Sequence, residues 1–401
     1  MTVQTSRRQP HLARALVPLG LVFLSVGIST ALVYPFLSLF LSTEVQAGPL
    51  KVTAFLVASP LAGVVVTTLI GRLSDRLPIR RLLLIIGGIS GMIGCGLAAF
   101  IRDYWILLGL TVTSVAIANC LFPQSFAYAR QVLERDAPDK MALGISGLRT
   151  VFSLAWVAGP ALAAFILASG GFTWVYGTAA AMYAVAAIIG LRWLGEVPAP
   201  AAAEPGDTPA SDTLETPRWV LLLTAGAFAL LQTPLTLAVQ ALPLFIDTEL
   251  DGNVKQAGLV LGLCAALEIP FMLALGALSV RVSVRVLLFI GSVCGIVYYA
   301  LAAVTPTVGL LFGGQVLNAV FISAVSGLGI SYMQEMLPRH PGQATTLFTN
   351  SFPLGAMLSG PLFGLAQHFG YRLAYWLCTA LCVAGMVLLF AIRTERVSRA
   401  S

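Results

Sequence analysis

Two side chains stand where a charge is hard to keep. Arg149 and Glu268 are the only charged residues well inside the long apolar stretches of this 401-residue chain. At the helical rise of 1.5 Å per residue they lie about 12 Å and about 16 Å from the basic ends of their stretches. An ionised group at mid-bilayer costs about 2.5–3.5 kcal/mol even on lenient scales, so each needs a function or a partner. Three chemistries fit. An apolar cavity would favour the protonated form of Glu268 and a nearby guanidinium the ionised form, so it is a candidate proton carrier whose balance a substrate shifts. Both groups also bond strongly to neutral hydroxyls. The third is a structural ion pair that locks one conformation.

Neutral polar residues follow. Asn119, Gln232 and Asn318 lie at mid-depth, Gln315 one turn further out and Asn350 nearer the cytoplasm. In lipid an amide must find a partner, so the spans that carry amides are expected to face a cavity and the amide-free spans three, six, nine and twelve to face lipid. Interhelical bonding is the competing role for any single amide. Trp156 is deep enough to stack on a substrate, whereas the other five tryptophans lie near span ends, as an interfacial belt requires. Glu44, Asp247 and Glu249, at outer span ends, are read as solvated loop acids, with Asp247 as the candidate exception.

Other chemistry lacks its residues. There is no G-x-x-x-x-G-K phosphate loop, and the three lysines (Lys51, Lys140, Lys255) are in loops, so the chain holds no ATP motor. The three histidines are in terminal or loop positions, and no Ser-His-Asp, Cys-His or metal spacing lies at membrane depth. The six cysteines sit inside apolar runs, as membrane-core residues do. No cofactor and no enzymatic activity are expected.

Composition names the element that must position these groups. The chain is 58% hydrophobic and 10% charged, against about 25% charged for soluble domains, which excludes a soluble fold and a nucleic-acid binder. Stretches of about 20 apolar residues are needed to cross a bilayer. Twelve are found, at about 15–41, 52–71, 82–101, 104–129, 141–167, 173–194, 218–246, 256–279, 286–304, 307–333, 343–366 and 372–392. With the N-terminus inside, 18 of the 23 basic residues fall on the cytoplasmic side and four outside. That bias puts both termini in the cytoplasm. The net charge of +6 is therefore topological.

Residues 195–217, rich in Pro, Ala and acid, read as a cytoplasmic linker between a first six-helix bundle (1–194) and a second (218–401) with a short tail. The halves repeat each other. LSLFLSTEV (37–45) matches LPLFIDTEL (242–250), and GRLSDRLPIRRLL (71–83) matches GALSVRVSVRVLL (276–288), both at an offset of 205. The expected fold is an all-α membrane protein of twelve transmembrane helices in two pseudo-symmetric six-helix bundles. Such repeats build transporters that rock around a central site.

The loop after span two carries Gly71, Asp75, Arg76, Arg80 and Arg81. It resembles the G-x-x-x-D-R-x-G-R-R signature of the major facilitator superfamily, with Pro78 in place of a glycine and one extra residue before the arginine pair. As a cytoplasmic gate, Gly71 would let two helix ends approach and Asp75 would cap a helix or pair with an arginine. The alternative is an ordinary basic loop. Gly159-Pro160 in span five resembles the glycine-proline motif of proton-coupled exporters, and Gly360-Pro361 repeats it in span eleven. ANCLFPQSFAYAR (118–130), LRTVFSLAWVAGP (148–160), AALEIP (265–270), LNAVFISAVSGLGI (317–330) and ATTLFTNS (344–351) together resemble the bacterial sugar efflux transporters of that superfamily.

The resemblance implies a monomeric inner-membrane exporter of sugars or glycosides that exchanges them for protons by alternating access. It also implies that spans five and eight face each other, making Arg149 and Glu268 neighbours. The substrate and coupling set is then Arg149, Glu268, Asn119, Gln232, Asn318, Asn350 and Trp156. Two other readings stay open: a proton-coupled exporter of drugs or other amphiphiles, and a non-transporting sensor on a transporter scaffold.

Overall fold

Inside a bilayer the backbone can bond only to itself, so each apolar stretch is forced into helix. The computed structural model describes residues 9–136, 140–195, 216–338 and 340–391, and every expected span in it is helical. No strand occurs among the described residues. Most of the linker and both chain ends lie outside them.

In the first half, α1 covers 9–43, α2 Pro49–Arg76, α3 Arg80–Ala98 and α4 Tyr104–Asp136. One continuous stretch, Met141–Arg192, provides α5 (141–170) and α6 (172–192). The break between them is Gly171, at φ 69°, a left-handed conformation that only glycine takes at no steric cost. In the second half, α7 is Arg218–Glu249, α8 Val254–Leu278, α9 Val284–Val304, α10 Val308–Met336, α11 Pro341–Phe369 and α12 Arg372–Ala391.

Ten helical stretches among the described residues are long and apolar enough to cross a membrane, the bent 50-residue Leu143–Arg192 counting as one. The eleventh expected span forms α11, which is outside the ten; Gln343, Thr345, Thr346, Thr349, Asn350 and Ser351 lower its hydropathy.

Local chemistry sets the ends. Asp103 accepts from Trp105 N and Ile106 N at 3.0 Å each and so caps the start of α4. Pro49 opens α2, where its missing N–H is not needed. Tyr34-Pro35-Phe36 tightens α1 into a 3-10 turn. Among the described residues each half has one π-turn, Thr111–Val115 in α4 and Ser323–Leu328 in α10. Such turns break the regular ladder and recur at functional positions.

The helices pack as two units, residues 1–206 with 252–265, and residues 207–251 with 266–401. The first half of α8 thus groups with the first unit. Its Gly258 and Gly262 lie so close to Pro160 and Val157 of α5 that an added Cβ would come within 2.5 and 2.8 Å of their carbonyl oxygens. In the first unit α3 meets α6 at Gly88 against Ala187 and Gly91 against Tyr183. In the second, Gly355 of α11 abuts the backbone of Ala229, Gln232 and Thr233 of α7. Trp105, Trp174, Trp193 and Trp219 all present most of their surface at helix ends. All six cysteines are free.

Candidate functional site

Arg149 belongs to the first unit and Glu268 to the second. The Arg149 side chain is exposed. On the same face of α5, one and two turns on, stand Phe152 and Trp156. The Phe152 ring packs on Phe122 of α4 with centroids 4.5 Å apart, and Trp156 meets Tyr34 of α1 edge-on at 6.2 Å. Phe122 packs further on Phe126 and Phe23. Asn119, one turn before Phe122 on α4, is exposed, and its Nδ2 would lie 3.2 Å from a Cβ added at Gly63 of α2. The first unit therefore presents a guanidinium and an amide beside an aromatic wall. Trp156 was expected from the sequence, but Phe122, Phe126 and Phe152 were missed; the spacing of four in Phe122-Phe126 and Phe152-Trp156 was the available signal.

The second unit treats its polar groups differently. Aligning the two Gly-Pro pairs at an offset of 201 places Asn350 opposite Arg149, and Asn350 is likewise exposed. Glu268 is half-buried, and its backbone carbonyl accepts from Ser323 Oγ at 3.1 Å, in the π-turn of α10. Gln232 is 2% exposed, with its Oε1 buried and unpartnered where α11 closes on α7 at Gly355.

Asn318 departs from expectation. It was expected to line a cavity, but it is buried, donates to Gln315 Oε1 at 3.0 Å and accepts from Tyr299 Oη at 3.4 Å. Gln315 in turn donates to Tyr298 Oη at 2.7 Å. These bonds join α9 to α10. Span nine therefore uses its tyrosines to hold an amide pair inside the bundle, rather than serving only as a lipid-facing support.

The loop expected to be a cytoplasmic gate also differs from the sequence reading. A Cβ at Gly71 would meet nothing within 4 Å, so Gly71 makes no close helix approach here. Arg81 donates through Nε to Gly190 O (3.2 Å) and through Nη2 to Leu191 O (2.8 Å). It thereby satisfies the last carbonyls of α6, where a cation also complements the helix dipole. Arg285 does the same for α12 by donating to Phe390 O at 3.1 Å. Arg80 is half-buried and Arg76 exposed. Asp75 lies in the last turn of α2; its side chain is outside the described residues. Ser74, beside it, accepts from Gln124 Nε2 of α4 at 3.0 Å.

At the C-terminal ends of α1 and α7, two of the acids read as solvated are paired. Glu44 bonds Arg102 at 3.0 Å and Glu249 bonds Arg372 at 3.2 Å. The arginines follow span three and open span twelve, a pairing that the sequence offset does not reveal.

Among the described residues no group of three or more His, Cys, Asp or Glu is placed to hold a metal.

The comparisons with known proteins agree with this geometry. The Major Facilitator Superfamily profile matches residues 19–245 and 224–401. A putative sugar efflux transporter of Deinococcus radiodurans is 35% identical, over 95% of this chain and 98% of its own. Sugar efflux transporter A of Dickeya chrysanthemi is 34% identical over 98% of both chains. Sugar efflux transporter C of Escherichia coli is 33% identical over 93% of this chain and 94% of its own. Among solved structures, a mutant of the nucleoside transporter NupG superposes with a TM-score of 0.77 at 14% identity, covering 94% of this chain and 99% of the other. A POT family transporter does so with a TM-score of 0.76 at 12% identity, covering 94% and 95%. At these identities the structures speak to the fold alone. The chain is a membrane transporter rather than an enzyme, and it belongs to the sugar efflux transporter family of the Major Facilitator Superfamily.

Proposed function

We propose that this protein exports sugars or glycosides across the bacterial inner membrane in exchange for protons, by alternating access. The observation that carries the sugar reading is similarity at 35% identity, over nearly the whole chain, to a protein named a putative sugar efflux transporter. The proton coupling rests on chemistry. Glu268 is an acid placed inside an apolar span, and its protonation is sensitive to any guanidinium or substrate that reaches it. In this proposal two six-helix halves, 1–194 and 218–401, rock about the linker 195–217, and both termini are cytoplasmic, as the arginine bias favours. The unit is a monomer.

Roles follow from the side chains. Arg149, Asn119 and Asn350 supply donors and acceptors to sugar hydroxyls, and Trp156 supplies an aromatic face; Gln232, shut in where α11 meets α7, joins them only in a state that opens that contact. Asn318 acts from behind by fixing α10. Glu268 releases its proton to water when Arg149 pairs with the carboxylate, and takes one up again when substrate separates the two. Residues 71–81, with Gly71, Asp75, Arg76, Arg80 and Arg81, form the cytoplasmic gate, and the open space at Gly71 suits a helix end that closes in another state.

A binding screen of mono- and disaccharides on the purified protein, repeated with Glu268→Gln, tests the reading. Binding of at least one sugar that survives Glu268→Gln, with loss of sugar-driven proton movement, is expected. No binding of any sugar contradicts the substrate class. Arg149→Ala and Glu268→Ala should be non-additive in transport; strict additivity rules out their acting as a pair.

A further inference from the structure

We infer that Gln124 is a positioning residue for the cytoplasmic loop: through Ser74 it sets the last turn of α2, the turn that bears Asp75. The inference rests on the reading of residues 71–81 as a gate.

The contact is direct and enclosed. Gln124 Nε2 donates to Ser74 Oγ at 3.0 Å, and Ser74 Oγ donates to Gly71 O at 2.8 Å. Ser74 is 1% and Gln124 4% exposed. The two lie 50 residues apart in sequence, so the bond is a lateral tie between α2 and α4. A helix's last turn is where it frays, because its final carbonyls lack intrahelical partners. A bond from a neighbouring helix to that turn therefore fixes the direction in which the following residue leaves. The same amide keeps Oε1 buried without a partner, a cost that an apolar side chain of similar size would avoid.

The internal repeat supplies a control. At the offset of 205, Ser74 corresponds to Ser279, and Ser279 Oγ makes the same bond to the carbonyl three residues back, Gly276 O, at 2.7 Å. There the likeness stops. Asp75 corresponds to Val280, which is 86% exposed. Between there and the Gly-Pro pairs the offset falls from 205 to 201, so Gln124 lies opposite the stretch 325–329, Val-Ser-Gly-Leu-Gly, which holds no amide. The half that has the acid has the amide tie, and the half without the acid has neither. A glutamine that served only to fill space has no reason to follow the acid.

The test uses the full-length protein in lipid vesicles and the sugar selected by the screen above. Gln124→Leu removes the donor; Gln124→Asn is one methylene too short to reach Ser74 and guards against a misfolded leucine variant. Each should lower the maximal transport rate about tenfold, the size of effect one buried hydrogen bond carries, with sugar affinity unchanged. Backbone hydrogen exchange should speed up in 71–77 and stay unchanged in 276–282. In an Asp75→Asn background, Gln124→Leu should add no further loss of rate. If Asp75→Asn transports at the wild-type rate, the gate reading falls and takes this inference with it. If Asp75→Asn is slow but Gln124→Leu is fast, or slows Asp75→Asn by a further tenfold, the gate stands and the role of Gln124 is overturned.

Discussion

The C-terminal ends of α1 and α7 solve one problem in two ways. Each ends in an aromatic ring and an acid four residues on: Phe40 and Glu44 in the first unit, Phe245 and Glu249 in the second. Each pair holds an arginine, with Arg102 5.1 Å from the Phe40 ring and Arg372 5.7 Å from the Phe245 ring. Arg102 comes from the end of span three and also bonds Thr173 Oγ1, at 3.3 Å, at the start of span six. Arg372 comes from the start of span twelve and reaches back to Ala303 O and Thr305 O, at 3.1 and 2.9 Å, at the end of span nine. The junction of three helices is kept while the helix that donates the arginine is exchanged. The repeat therefore preserves an interaction that residue-by-residue alignment loses.

The two clamps are not equally enclosed, and this orders the expected effects. Glu249 is 22% exposed and also accepts from Tyr371 N at 2.8 Å, whereas Glu44 is 42% exposed with Arg102 as its bonding partner. Arg372→Ala should be the most damaging change, at about 2–3 kcal/mol, since it leaves a largely enclosed carboxylate short of its cation. Unfolding of the purified protein measures it.

The amides come next. Asn318→Leu should cost about 1–2 kcal/mol, because it strips partners from Gln315 and Tyr299. Asn119→Leu, at an exposed position, should leave stability within about 0.5 kcal/mol and act on transport instead. Equal stability losses would erase the distinction drawn between the units.

Arg102→Thr should cost less, about 1 kcal/mol or under, as exposed pairs do. The smallest effect is the most informative one. Arg102→Thr with Thr173→Arg rebuilds the first clamp on the plan of the second and should bring stability back to within about 0.5 kcal/mol of wild type. If the double variant is no better than Arg102→Thr, the two clamps are not equivalent.

The bundle was legible in the sequence because a bilayer imposes coarse rules. Apolar length marks the helices, and the interval 168–172 marked the break that Gly171 makes. Side-chain partnership obeys no such rule. Asn119 and Asn318 sit at similar depth in related helices, yet one is exposed and the other bonded. Hydropathy does not record which way a helix is turned about its axis. Gln315, three residues before Asn318, was the hint that the second amide has a partner on its own face. The tie from Gln124 to Ser74 and the clamp from Arg372 to Glu249 span 50 and 123 residues and had no local sign. Gly71 was expected at a close approach and lies open, because a motif gives residue types and not the conformation in which they meet.

The central claim is that the acid in α8 carries the proton that sugar movement is exchanged for. Vesicles holding a pH-sensitive dye, with a gradient of the sugar found in the screen, test it directly. Wild-type protein should move protons against the sugar flux, and Glu268→Gln should bind that sugar without moving protons. Proton movement at the wild-type rate in Glu268→Gln would contradict the account.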